Sequence, residues 1–223
     1  MATTLDRLAG RLASSPVPFV TFYDLATGER VELSGVTTAN WVAKTSNYLV
    51  DEHEVEPGTR IRLGLPTHWL RIVWLLSAWT VGATVTDRDA AIGVSGPELE
   101  AGEPVRLAAS LRPLGARFAE PPIGFVDLAL EVPAHGDLFV ALDPPGPHTV
   151  ALDLDGTVRT HAELAGTAGD DRRLVLAPST VERDALAVAA ALAGGGSLVL
   201  VSGGDDEAVS RVTAQEGGTR PDA

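Results

Sequence analysis

Apolar residues change their spacing several times within the first ninety positions, and the same succession returns near the end of the chain. A turn at Thr27-Gly28 is followed by Val31 and Leu33, which alternate with polar neighbours as a half-buried strand does. Trp41, Val42, Thr45, Tyr48 and Leu49 then recur at helical spacing, with Thr37 placed to cap the helix. Glu56-Pro57-Gly58 makes a turn, and Ile61 to Leu65 alternates as a strand. Pro66-Thr67 breaks that strand and opens a strongly apolar helix from Trp69 to Val81. Gly82 stops the helix, and Ala83-Thr84-Val85 resumes as a strand. Strand, helix and strand with short connections predict a parallel βαβ unit.

Val150 to Val201 repeats this grammar in shorter form. Val150 to Leu154 reads as a strand, and Asp155-Gly156 is a strong hairpin signal. Thr160 and Glu163 form a capping box at the place Thr37 to Trp41 holds earlier. Leu174 to Pro178 parallels Ile61 to Pro66, Val181 to Ala193 parallels the Trp69 helix, and Gly194-Gly195-Gly196 leads into the strand Ser197 to Val201. Asp205, Asp206 and Glu207 open one more helix, where acidic groups suit the helix dipole. The fold class predicted is α/β, with two related βαβ-containing halves and mostly parallel sheets. The first half spans 1–147 with an irregular extension, the second 148–216, and a frayed tail 217–223; the Pro-rich stretch from Val132 to Pro147 is the junction. Within the extension, Ile92 to Ser95, Val105 to Leu107 and Phe125 to Leu130 are expected strands, and Leu107 to Leu114 a helix. Leu5, Leu8 and Leu12 mark a short amphipathic helix at the start.

Pro57-Gly58-Thr59-Arg60-Ile61, Leu65-Pro66 and Ala78-Trp79-Thr80-Val81-Gly82-Ala83-Thr84-Val85 together resemble the start of an adenylate-forming enzyme. These are the AMP-binding, acyl-CoA synthetase-like proteins. Thr37-Thr38-Ala39-Asn40-Trp41 is similar to that family's early helix opening. The resemblance covers the first third well and the last third more faintly. It implies the N-terminal domain of such an enzyme, with paired α/β subdomains. It also implies a phosphate loop of small and hydroxyl residues with a lysine just before Thr160-His161. Counting back from Gly156, the lysine position is Asp155 and the inner glycines are gone. Asp153 and Asp155 thus face where a triphosphate would sit. The family's aromatic-histidine motif is replaced by Ser179-Thr180-Val181, and a C-terminal lysine-bearing domain is absent from these 223 residues.

Charge and composition narrow the chemistry. A net charge of −13 argues against nucleic acid and anionic membranes as partners. No apolar run reaches spanning length, and the chain begins without the apolar core of a signal peptide. With no cysteine there is neither a disulfide framework nor thiolate chemistry, so a cytoplasmic location is expected. Lys44 is the only lysine, placed on an early helix as a solvated side chain.

Leu152-Asp153-Leu154-Asp155-Gly156-Thr157-Val158 also resembles the first motif of haloacid-dehalogenase-type phosphatases. That resemblance implies Asp153 as nucleophile, Asp155 as acid/base and Mg²⁺ as cofactor. Against it, no lysine lies downstream of Asp153, and only 71 residues, Asp153 to Ala223, remain to build such a fold. Asp24 to Val31 occupies the equivalent place in the first half, which makes the motif a hairpin turn. Other candidates lie at strand ends, where α/β sheets bind ligands: Thr67, His68 and Trp69 in one half, Ser202 and Gly203 in the other. The five histidines show no metal-ligand spacing. The expected function is that of a non-catalytic, truncated acyl-adenylate-synthetase-like protein. It would bind a small molecule or regulate a protein partner, without a cofactor. The alternatives are the Mg-dependent phosphatase and an acyl-CoA or nucleotide binding module acting with another protein.

Overall fold

The computed structural model describes residues 3–100 and 102–221. After α1 (Leu5–Gly10) and a 3₁₀ turn, the first repeat runs β1 (Pro18–Asp24), β2 (Glu29–Ser34), α2 (Gly35–His53), β3 (Arg60–Gly64), α3 (Trp69–Thr80) and β4 (Thr84–Thr86). The extension adds β5 (Ile92–Ser95), β6 (Val105–Ala108), β7 (Val126–Asp127) and α4 (Leu128–Glu131). The second repeat is β8 (Val150–Leu154), β9 (Thr157–Thr160), α5 (His161–Ala165), β10 (Arg173–Leu176), α6 (Val181–Gly194) and β11 (Ser197–Ser202). The helix α7 (Asp206–Gln215) follows. Both repeats therefore have the same element order: a hairpin, a helix, a strand, a helix and a strand.

The repeats exchange their hairpins. One sheet has the order β10-β11-β1-β2, the other β7-β6-β5-β3-β4-β8-β9. In the first, β1 lies parallel to β11 of the other repeat, with Val20 opposite Leu198. In the second, β8 lies parallel to β4, with Val85 opposite Leu152. Among the described strands, the β1–β2 and β8–β9 pairs are antiparallel and the others parallel. Neither repeat owns a complete sheet.

Burial follows from this interleaving. The run 198–201 within β11 is apolar throughout because both of its faces are covered. Leu198 and Leu200 face the main core, while Val199 and Val201 pack with Val209 and Val212 of α7. Between the sheets, α3 is buried nearly all round, including Trp69, Trp74 and Trp79. Tight contact is needed where α6 ends. A Cβ on Gly194 would stand 2.2 Å from the Asp170 nitrogen, so only glycine fits there.

Several expectations are corrected. Ser34, not Thr37, caps α2: its Oγ accepts the Thr37 N–H at 3.1 Å, so the helix begins at Gly35. Leu107 and Ala108 continue β6 beside β5, and no helix spans 107–114, because the chain turns at Leu111 with a φ of 55°. The expected strand over Phe125 to Leu130 is only two residues long. Asp127 Oδ1 accepts the Ala129 N–H at 3.0 Å and starts a helical turn. The tail is not frayed over 217–221, since Thr219 pairs with the backbone of Arg173 and Val175; Asp222 and Ala223 lie outside the described residues. Lys44 is half-buried and tethered, donating to the His135 carbonyl at 2.6 Å. Among the described residues no helix is long and apolar enough to cross a membrane.

The β8–β9 hairpin closes through Asp155 and Gly156, both at positive φ (48° and 76°). Asp155→Asn is expected to change unfolding free energy by less than about 0.5 kcal/mol, since Asn tolerates the left-handed region. Asp155→Val should cost about 1–2 kcal/mol in the same urea titration. Equal losses for the two would refute the turn assignment.

Candidate functional site

Two charged residues are buried in otherwise apolar helix faces: Arg71, the one charge of α3, and Asp184, which follows Glu182 and Arg183 at the start of the alanine-rich α6. They meet. Arg71 is 3% exposed and Asp184 0%, and the guanidinium forms an ion pair with the carboxylate. Arg71 also donates to the Leu65 carbonyl (3.2 Å), to Thr67 Oγ1 (2.9 Å) and to the Ser179 carbonyl (3.0 Å). Ser179 donates its hydroxyl to Asp184 and its N–H to Thr67 Oγ1 at 3.0 Å. Burial pushes the Asp184 carboxyl up, and the Arg71 guanidinium and Ser179 hydroxyl pull it back down. Above the pair lies a crevice of about 380 Å³, lined by Thr67, Ser179, Thr180 and Arg183. It opens where the α3 and α6 N-termini meet the ends of β3 and β10, the place where α/β sheets hold ligands.

Of the sequence candidates, Thr67 is thus at the crevice, locked into the Arg71 network. His68 and Trp69 turn inward. His68 caps α3, its Nδ1 accepting the Leu70 N–H at 3.1 Å, while its ring meets Phe22 edge-on at 4.5 Å. Desolvation pushes its pKa down to about 4, so it is neutral at pH 7. Trp69 is buried with its ring 5.5 Å from that of Trp41. Ser202 and Gly203 end β11 and pack on the first hairpin. The Ser202 carbonyl accepts the Leu25 N–H at 2.9 Å, and a Cβ on Gly203 would approach the Ala26 nitrogen to 3.5 Å. They support the β1–β2 turn and do not line the crevice.

Asp153 and Asp155 lie elsewhere, on the larger sheet. Asp153 receives Arg60 Nη2 at 2.8 Å on one oxygen and Arg88 Nη2 at 2.7 Å on the other. These arginines hold its carboxyl below the usual range. Asp155 is exposed in the hairpin turn, where its N–H donates to Asp87. Asp205 caps α7, beside the other sheet, by accepting the Ala208 N–H. Asp153 and Asp155 therefore lie on a different sheet from the one beside Asp205, and Asp153, the nucleophile of the phosphatase reading, is clamped by two arginines. Among the described residues no group of three or more metal-ligating side chains comes together.

Sequence reading missed Arg71, Asp184, Arg60 and Arg88. Arg71, the one charge in the apolar helix α3, was the signal for the central pair, because a buried charge needs a partner.

No family model matches the chain. A protein of Mycobacterium tuberculosis (strain ATCC 25618 / H37Rv), described as a TIGR03089 family protein, is 37% identical over 229 residues, covering 94% of this chain and 93% of that protein. The chain belongs to the TIGR03089 family. Solved structures extend the likeness to the fold. An acyl-CoA synthetase of Brucella canis matches with a TM-score of 0.79 at 16% identity, over 97% of this chain and 46% of that one. The acetoacetyl-CoA synthetase of Streptomyces lividans matches at 0.76 and 18%, over 97% and 41%. The N-terminal domain of FACL13 from Mycobacterium tuberculosis matches at 0.67 and 15%, over 96% and 61%. The fold is that of the N-terminal portion of adenylate-forming enzymes, and the chain spans about half the length of the structures it matches.

Two outcomes are expected of these side chains. Arg71→Met or Asp184→Leu should each cost about 3–5 kcal/mol, by leaving a buried charge unpaired, whereas the two together should cost less than the sum. A double-mutant cycle by denaturant unfolding checks this, and strict additivity would count against the pairing. The second concerns acid. His68 and His161 both have pKa values lowered from 6.5 to about 4 by burial. Between those values the unfolded chain takes up protons the native protein refuses. Stability is therefore full above pH 6.5 and falls as pH drops towards 4, by up to about 3 kcal/mol per histidine. His161→Leu should flatten that slope; an unchanged profile would contradict it.

Proposed function

We propose that this protein is a non-catalytic relative of the adenylate-forming enzymes, acting as a small-molecule-binding or partner-regulating module. One observation carries the reading. Where the family resemblance calls for a glycine-rich loop and a lysine, β8 and β9 are joined by the two-residue turn Asp155-Gly156. A phosphate cradle needs several successive backbone N–H groups pointing at one anion, and a tight hairpin turn does not supply them. Arg60 and Arg88, the cations bound at Asp153 in β8, are committed to its carboxylate. Replacing a lysine with Asp155 also reverses the local charge against a triphosphate.

The enzymes whose fold this chain shares include acyl-CoA synthetases, and the chain spans about half of their length. An acyl-CoA or nucleotide ligand held together with another protein is the second reading. The open crevice at the ends of β3 and β10, beside the exposed Arg183, favours it.

The test is acid-dependent exchange of pyrophosphate into ATP, across a panel of short- and long-chain carboxylic acids with Mg²⁺. No exchange above a heat-inactivated control is expected. Exchange that disappears in a single point variant would overturn the non-catalytic reading. A thermal-shift screen with ATP, AMP, CoA and acyl-CoAs, with and without Mg²⁺, separates the second reading, because a ligand of the native state raises the melting temperature.

A further inference from the structure

Of the nine large hydrophobic side chains that stand exposed among the described residues, six lie between 123 and 142. Three of them alternate along one short stretch. Leu138 is 79% exposed, Val140 73% and Leu142 100%, while Phe139 and Ala141 between them are half-buried. Phe139 packs against the main core, and the chain runs without turn or bend from Leu138 to Ala141. This is the burial pattern of a strand with one face covered, yet the stretch belongs to neither sheet.

Its backbone is as open as its side chains. Among the described residues, no protein acceptor takes the N–H of any residue from Leu138 to Leu142. One carbonyl is used: that of Leu138 accepts from Asn47 Nδ2 at 3.0 Å. Asn47 also donates to the Gly136 carbonyl at 2.9 Å, and Lys44 to the His135 carbonyl at 2.6 Å. Two side chains of α2, the single lysine of the chain among them, thus fix the start of the stretch on the body of the protein. An apolar extended segment with free N–H and C=O groups, held in place, is a template for strand addition.

Charge decides what covers it. The stretch is bounded by Asp137 and Asp143, both exposed and neither in an ion pair among the described residues. A second copy pairing antiparallel about Val140 would set Asp137 opposite Asp143 at both ends, where like charges repel. The net charge of −13 adds to that repulsion. A strand with basic residues at its ends meets opposite charge instead. We propose that residues 138–142 receive an extended segment of another protein, apolar at alternate positions and carrying lysine or arginine at both ends. The main-chain groups supply the affinity, Leu138, Val140 and Leu142 pack against the alternate apolar side chains, and the two aspartates select the basic ends. The inference deepens the partner-regulating reading. Pyrophosphate exchange would overturn that reading and leave this surface standing, whereas failure of strand addition would leave the absence of adenylation unaffected.

Fluorescence anisotropy with the full chain and labelled peptides tests it. The probes are an alternating valine–threonine core flanked by lysine pairs, the same core flanked by glutamate pairs, and the lysine-flanked core with proline at its centre. The lysine-flanked probe should bind and slow amide hydrogen exchange at 138–142, and the other two should bind at least tenfold more weakly. Val140→Pro, at an exposed position, should weaken binding at least tenfold with the melting temperature unchanged. Asp137→Lys with Asp143→Lys should reverse the preference between lysine- and glutamate-flanked probes. The proposal is overturned if the lysine-flanked probe does not bind at millimolar concentration, if the glutamate-flanked probe binds as tightly, or if exchange at 138–142 does not slow. It is equally overturned if sedimentation shows a dimer that Val140→Pro returns to monomer, because a second copy is then the occupant.

Discussion

An arginine and an aspartate with almost no access to water join the two central helices of this protein. Neither charge is tolerable there alone, because the desolvation of a single buried ion outweighs any packing its stem provides. Arg71 comes from α3 and Asp184 from α6, the corresponding helices of the two repeats. The pair therefore fixes the distance and rotation between the halves. It also recruits the Thr67 and Ser179 loops, so the mouths of both βα units are held in one hydrogen-bonded network. The crevice above it is a consequence of this clamp.

The second constraint is the exchange of hairpins. With β1 completing the sheet of β10 and β11, and β8 completing that of β3 and β4, each repeat closes the other's sheet. Partial unfolding of one half would expose the edge strands of both, which argues for a single cooperative unit. The equivalence of the repeats stops at their outer faces. After β11 the chain makes α7, which covers the outer side of the smaller sheet. After β4 it makes β5, β6 and β7, which widen the larger sheet. The outer side of that sheet bears Arg60, Arg62 and Arg106, with Arg62 paired to Glu103 and Arg106 lying over Phe125.

Elements defined by period and punctuation were legible in the sequence. Trp69 to Thr80, Val181 to Gly194 and the Asp155-Gly156 hairpin stand where their patterns put them, because local spacing, caps and turn residues agreed. The repeat was legible for the same reason. The exchange of hairpins was not, because strand partnership between positions as distant as Val85 and Leu152, or Val20 and Leu198, leaves no trace in local periodicity. The extension was misread where tertiary contacts decide. Leu107 and Ala108 have helix-compatible neighbours but are claimed by β5. Thr219 looks like tail, yet the edge of β10 offers its backbone partners. At the candidate site, residue types were judged one at a time. Thr67 earned notice as a loop hydroxyl, while Arg71, four residues on, passed as part of an apolar helix.

The arginines give the last link between composition and recognition. Arg60 and Arg88 hold Asp153, Arg62 holds Glu103, Arg71 holds Asp184, and Arg173 and Arg30 hold Glu216. Positive charge is thus used inward, on particular carboxylates, while much of the acidic excess behind the net charge of −13 lies at the surface. The resulting field repels phosphates and thioester nucleotides at long range and draws cations in. At the β8–β9 turn the exposed Asp155 adds its carboxylate to that field.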